Sequence, residues 1–177
     1  MLSPKRKTSS IRLLFATIVL LALSACTGSQ APPRPPLELP SATAQSGQEV
    51  HFEIEIIKKD QYLLGIKFLE KNTPGDAARL AQLLGASELD SSGKWIEQGV
   101  PATIHVHIRK KNKNEEILNE LVEHPKTRAT YGGRAADISL INLEPGVYLV
   151  SLKYMHLAPA LNAIPENIFF SKAHHGK

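Results

Sequence analysis

The chain has 177 residues, 42% of them hydrophobic and 6% aromatic, with 21 Lys and Arg against 17 Asp and Glu. A single cysteine excludes an intrachain disulfide framework, so a folded domain must take its stability from an apolar core. The formal charge of +4 is no argument for a polyanion ligand, because four basic residues and no acidic ones lie within the first 25 positions.

Those four, Lys5, Arg6, Lys7 and Arg12, precede an uncharged apolar run from Leu13 to Leu23. The run is far shorter than the roughly 20 residues that span a bilayer, so it predicts a signal peptide over residues 1–25. Leu23-Ser24-Ala25-Cys26 resembles the lipobox of bacterial lipoproteins: an apolar residue, two small ones, then cysteine. The resemblance implies cleavage before Cys26, lipidation of its sulfur with acyl chains such as palmitate, and attachment to the bacterial envelope. Thr27 in the next position, rather than Asp, implies onward sorting to the outer membrane, facing the periplasm, in an enteric-like Gram-negative host. Cleavage leaves 17 basic against 17 acidic residues, and with no net charge the mature chain is not expected to bind nucleic acid.

Residues 26–48 predict a flexible tether. Pro32, Pro33, Pro35, Pro36 and Pro40 stand among Ala, Ser, Gln and Gly, a composition that favours extended polyproline conformations. The folded domain is then expected over 49–172, with 173–177 as a flexible tail.

Apolar residues alternate with polar ones in His51-Phe52-Glu53-Ile54-Glu55-Ile56, and again at Leu64, Ile66 and Phe68, which predicts two strands joined as a hairpin around Lys58-Lys59-Asp60-Gln61. Thr73 as N-cap, Pro74 at the first helical position, the stripe Ala77, Leu80, Ala81 and Leu84, and Gly85 as a stop predict one short helix plugging an end of the sheets. Ile104, Val106 and Ile108 alternate with Thr103, His105, His107 and Arg109. Residues 115–124 are compatible with helix or strand. The Asn112-Lys113-Asn114 turn after a strand asks for a returning strand. Ile138 to Leu143 and Val147 to Tyr154 flank Glu144-Pro145-Gly146, which predicts a second hairpin. Ile168-Phe169-Phe170 predicts a last, two-sided strand.

The sum is a mainly β fold: an antiparallel β-sandwich, immunoglobulin-like or jelly-roll in type, with one short helix. Tyr62-Leu63-Leu64-Gly65-Ile66-Lys67-Phe68, Gly99-Val100-Pro101 and Leu143-Glu144-Pro145-Gly146-Val147-Tyr148 are similar to stretches of a family of small bacterial lipoproteins with a β-sandwich domain of unknown function. These motifs mark turns and strand ends, so the resemblance implies a fold and no chemistry.

No nucleophile elbow, zinc-protease motif or phosphate-cradling loop is present, so no catalytic residue and no cofactor are expected. His105 and His107, two apart on one strand, are weak metal-ligand candidates, and a solvated strand face explains them as well. Trp95 and Ile96 in a polar connection, with Arg134 after Tyr131-Gly132-Gly133, have the composition of an interface anchor. The alternative for Trp95 is a lid over the open end of the sandwich. The expected function is therefore a membrane-anchored lipoprotein, not an enzyme, that binds another macromolecule, with a protein as the expected partner. One version is an immunity protein against a secreted effector. The alternatives are an envelope assembly factor and a metal- or small-ligand-binding lipoprotein.

Overall fold

Strict apolar alternation becomes strand wherever it occurs, and turns too short to see in the sequence add more. A computed structural model describes residues 31–41, 45–86, 88–89 and 91–173, with only the backbone at Trp95. In chain order the elements are β1 (Leu37–Ser41), β2 (Glu49–Ile56), β3 (Asp60–Leu69), α1 (Asp76–Leu83), β4 (Glu88–Leu89), β5 (Trp95–Ile96), β6 (Ala102–Lys110), β7 (Glu115–Glu123), β8 (Thr127–Thr130), β9 (Gly133–Leu143), β10 (Gly146–Leu157) and β11 (Glu166–Lys172). One antiparallel sheet has the order β1-β11-β3-β9-β8 and the other β2-β10-β6-β7; β4 and β5 pair alone. The fold is a β-sandwich.

The core lies between the two large sheets. Ile54 and Ile56 of β2, Leu64, Ile66 and Phe68 of β3, Ile104, Val106 and Ile108 of β6, and Tyr148, Val150, Leu152 and Tyr154 of β10 are all buried. Each such side chain contributes about 1.5–3 kcal/mol through the apolar surface it removes from water. Residues 115–123 form a strand, as the turn chemistry predicts, and Asn114 takes the positive φ of 49° that closes the β6–β7 hairpin.

Neither of the two predicted hairpins exists. β2 pairs with β10, whereas β3 pairs with β9 and β11, so the connection through Lys58 carries the chain across the sandwich. Glu144-Pro145 carries it back from β9 to β10. Alternation specifies which face of a strand is buried, but not whether the next strand lies beside it or opposite it across the core. Each crossing is closed by a tyrosine four residues on. Tyr62 Oη donates to the Lys58 carbonyl at 2.8 Å, and Tyr148 Oη to the Glu144 carbonyl at 2.7 Å.

The folded domain begins well before residue 49. Leu37 and Leu39 pack against the core from β1, an edge strand paired with β11, where the missing N–H of Pro40 is tolerated. The Pro33 carbonyl accepts from Glu55 N–H at 2.8 Å, and Arg34 Nε reaches Glu55 at 2.7 Å. The prolines of 32–40 are thus built into the sandwich and are no part of a free tether. At the other end Ala173 is buried and its N–H donates to the Gln61 carbonyl, so the predicted tail is part of the fold at this residue. Helix α1 starts two residues later than its sequence signals suggest. Gly75, at φ 84°, occupies the cap, and Asp76 takes the Lys71 N–H at 2.6 Å and the Arg79 guanidinium at 2.7 Å. These two donors hold its carboxyl below the usual range. Leu80 and Leu84 plug the sandwich while Ala77 is exposed, so the stripe is narrower than predicted.

Candidate functional surfaces

Strand directions sort the connections into two sets. The crossings at 57–59 and 144–145 and the β6–β7 turn share one end. The connections 70–101, 124–126, 131–132 and 158–165 share the other. At that second end, α1 leads into an excursion whose tip is the β4–β5 ribbon, with Leu89 opposite Trp95 and Glu88 opposite Ile96. Its base is clamped backbone to backbone. Gly99 N–H donates to the Gly85 carbonyl, and a Cβ on Gly85 (φ 58°) or on Gly99 (φ 75°) would collide with the Gly99 or His124 carbonyl respectively. Val100 N–H to the Pro125 carbonyl and Lys126 to Glu97, at 3.2 Å, tie the excursion to the β7–β8 connection.

Of the residues singled out in the sequence, Ile96 is 40% exposed at the ribbon tip, and Leu89 beside it is 57% exposed. The Trp95 side chain lies outside the described residues. Arg134 belongs to the same end, yet it turns inward on β9: its Nη2 approaches Thr127 Oγ1 at 3.5 Å and its Nε is buried. Its neighbour Tyr131, at the tip of the β8–β9 hairpin, is the exposed one at 98%. The side chain that this hairpin presents to solvent is thus Tyr131 and not Arg134. Cys26 and the pair His174-His175 lie outside the described residues.

His105 and His107 do share the outer face of the β2-β10-β6-β7 sheet. Register adds His51, which faces Ser151, itself opposite His107. A shallow depression of about 490 Å³ lies among Glu49, His51, Glu53, His107 and Arg109. Polar groups in and beside it are engaged by neighbouring side chains. His107 Nε2 is 3.1 Å from Glu116, His105 Nε2 is 2.7 Å from Asn119, and Lys111 holds both Glu53 oxygens at 2.7 and 2.8 Å. The Ser151 hydroxyl, and more weakly the charges of His51 and Lys153, keep the Glu49 carboxyl below its ordinary range. Among the described residues no group of three or more His, Cys, Asp and Glu is placed to hold a metal ion.

One arrangement is invisible to periodicity. Gly65 sits in mid-strand on the outer face of the other sheet, and the Phe169 ring of β11 lies over it. An isolated glycine inside Leu64-Gly65-Ile66 was the available signal, since such a glycine marks close approach of another group.

A model of a domain of unknown function, DUF5625, matches residues 38–172. The chain belongs to the DUF5625 family. Its limits agree with the observed domain, including most of β1. No curated protein matches. Among solved structures, the chain is similar to a protein from Sulfurospirillum deleyianum, with a TM-score of 0.65 at 19% identity over 79% of this chain and 98% of that one. At that identity the likeness concerns the DUF5625 fold alone. A ruminal GH26 endo-beta-1,4-mannanase (TM-score 0.37, 10% identity, 75% of this chain, 19% of that one) and a Paenibacillus cycloisomaltooligosaccharide glucanotransferase (0.32, 14%, 72% and 13%) are too distant to carry an argument. Among the described residues no helix is long and apolar enough to cross a membrane.

Proposed function

We propose that this DUF5625 chain is a lipid-anchored lipoprotein of the bacterial envelope, facing the periplasm from the outer membrane, and that it binds another macromolecule, a protein, through the excursion end of the sandwich. The observation that carries the binding half is the placement of Leu89, Ile96 and Tyr131 on two hairpin tips at one end. Single exposed apolar side chains are ordinary, but their gathering on loops above a rigid frame is how recognition surfaces are built. Immunity against a secreted effector is one form of such binding, and envelope assembly is the other. The anchor half rests on the lipobox resemblance around Cys26.

Each half has its own test. Cys26→Ser should abolish palmitate labelling and leave the leader uncleaved; unchanged labelling and membrane fractionation would refute the anchor. A photoreactive amino acid placed at Leu89 or Tyr131 in living cells should give a discrete protein adduct that the same probe at Glu123, on β7, does not. No adduct from either tip removes the binding surface.

A further inference from the structure

A carboxyl group in a sandwich core needs a cation or a full set of hydrogen-bond donors to stay ionised, and Glu166 has neither. It opens β11 and is buried in the core. Its Oε1 accepts from Tyr154 Oη, while Oε2 has no hydrogen-bond partner among the described residues. The Ser41 hydroxyl favours the ionised form less than Tyr154 does. Register places one row across the sheet: Ser41 on β1, Glu166 on β11, Phe68 on β3 and Arg134 on β9. Arg134 is the cation of this row, yet two strand spacings of about 4.8 Å and the Phe68 ring separate it from Glu166. Its guanidinium turns instead to Thr127. From β10, Tyr154 is the titratable group that meets the carboxyl. Glu38 of β1 and Lys67 of β3 pair with each other on the outer face, and Lys153 and His156 of β10 occupy outer positions opposite His105 and Thr103.

What holds the chain beside this pair is the first strand and the connection after it. β1 is an edge strand of five residues whose last member, Ser41, pairs with Glu166. The connection is stapled to β10 on either side of the Tyr154 backbone. Gly47 N–H donates to the Tyr154 carbonyl at 2.6 Å, Tyr154 N–H to the Gln48 carbonyl at 2.9 Å, and Leu157 N–H to Ser46 Oγ at 3.0 Å. Leu37 and Leu39 are only partly buried, and Pro40 has no N–H to give to the ladder, so β1 is a strand of low local stability.

Closure and protonation are therefore coupled. Burial raises the Glu166 carboxyl to about 7 while β1 is in place, and lifting β1 would return it to water near its ordinary 4.5. Below about 4.5 the group is protonated whether β1 is docked or not. Above that the open form binds fewer protons, so opening becomes about tenfold easier per pH unit until the closed form also ionises near 7. We propose that Glu166 is a pH-sensitive latch on β1: its neutral form keeps Leu37–Ser41 docked on β11, and its ionisation favours an open form in which β1 leaves while the other strands stay paired. Release would bare the backbone edge of β11 and add five residues, about 17 Å when extended, to the segment that precedes the sandwich. The latch does not depend on the partner proposed for the excursion tips.

Amide hydrogen exchange of the full chain between pH 5 and pH 8, corrected for the intrinsic rate at each pH, tests it. Protection of the β1 amides should fall about tenfold per unit up to about pH 7 and then level off. It should stay below that of the β6 amides and be unaffected by low urea, since a local opening exposes little surface. Glu166→Gln should leave β1 equally protected throughout. Protection of β1 that does not change with pH, or a fall that persists in Glu166→Gln, would overturn the latch. So would β1 amides that match those of β6 in protection and urea dependence, because global unfolding would then be what exposes Glu166. The wild-type profile is decisive by itself if Glu166→Gln does not fold.

Discussion

The two ends of the sandwich are built on opposite plans. The crossing end is stitched by short local bonds: two tyrosine hydroxyls on backbone carbonyls, Lys59 on Glu144 at 2.6 Å, and Lys172 on Asp60. The excursion end has a buried polar contact in the core, where Tyr154 Oη donates to Glu166, and then projects its loops outward. If the excursion end is the recognition surface proposed above, stability and recognition are separated along the strand axis. Whatever fixes the first end can stay constant while the tips of the second vary, and only the buried pair beneath them joins the two roles.

That pair should give the largest effect. Glu166 is 1% exposed and Tyr154 0%. Burial pushes the Glu166 carboxyl up to about 7 from an ordinary 4.5, against the partial opposition of hydrogen bonds from Tyr154 and Ser41. Burial and the neighbouring carboxylate push the Tyr154 phenol up as well. A carboxyl with a raised folded-state value holds its proton more tightly folded than unfolded. Its contribution is therefore complete below about pH 4.5 and is lost as pH rises through about 7. A shift of that size corresponds to about 3 kcal/mol. Denaturant unfolding across pH 4.5–8 should thus show stability declining with pH, and Glu166→Gln should flatten the decline. A wild-type profile that rises over that interval would contradict the assignment. The lowered carboxyls of Asp60 and Asp76 act with the opposite sign, losing their contribution as pH falls through their own folded values.

Smaller effects separate the ends. Tyr154→Phe removes the donor from a buried carboxyl and should cost about 1–3 kcal/mol. Tyr62→Phe and Tyr148→Phe leave their carbonyl partners closer to water and should cost about 1 kcal/mol each. Urea midpoints order the three variants. Equal losses for all three would erase the distinction between a buried contact and surface stitching.

Much of this was legible in the sequence because period-two alternation is a local signal. β2, β3, β6 and β10 carry apolar residues at every second position, while β9 and β11 lie over short apolar runs bounded by turn signals. Sheet membership was not legible, because inward faces look the same whether the next strand pairs alongside or packs across the core. The same limit hid β1: Leu37-Glu38-Leu39 is too short to show alternation, and the surrounding prolines suggest an extended, solvated segment unless an edge strand is available to receive it. At the excursion end the sequence reading singled out Arg134, whereas Tyr131 is the exposed side chain. One register step decides between the inward and outward face, and the position of the two-residue β8–β9 turn set that step. Glu166 sits just before one apolar run and Tyr154 at the end of another, and neither position reveals that they meet in the core rather than at the surface.

The smallest predicted change in stability is at the tips themselves. Leu89→Ala, Ile96→Ala and Tyr131→Ala remove exposed side chains, so each should stay within about 0.5 kcal/mol of the parent. His105→Ala with His107→Ala should behave alike, since these rings lie on an outer sheet face and bond only to exposed partners. The two sets part company in binding. If the excursion end is the recognition surface, the combined tip variant loses the photocrosslinked adduct in cells while its melting curve is unchanged, and the histidine variant keeps both. A tip variant that melts early would mean that Leu89 and Ile96 close the core, and the ribbon would then belong to the frame rather than to recognition.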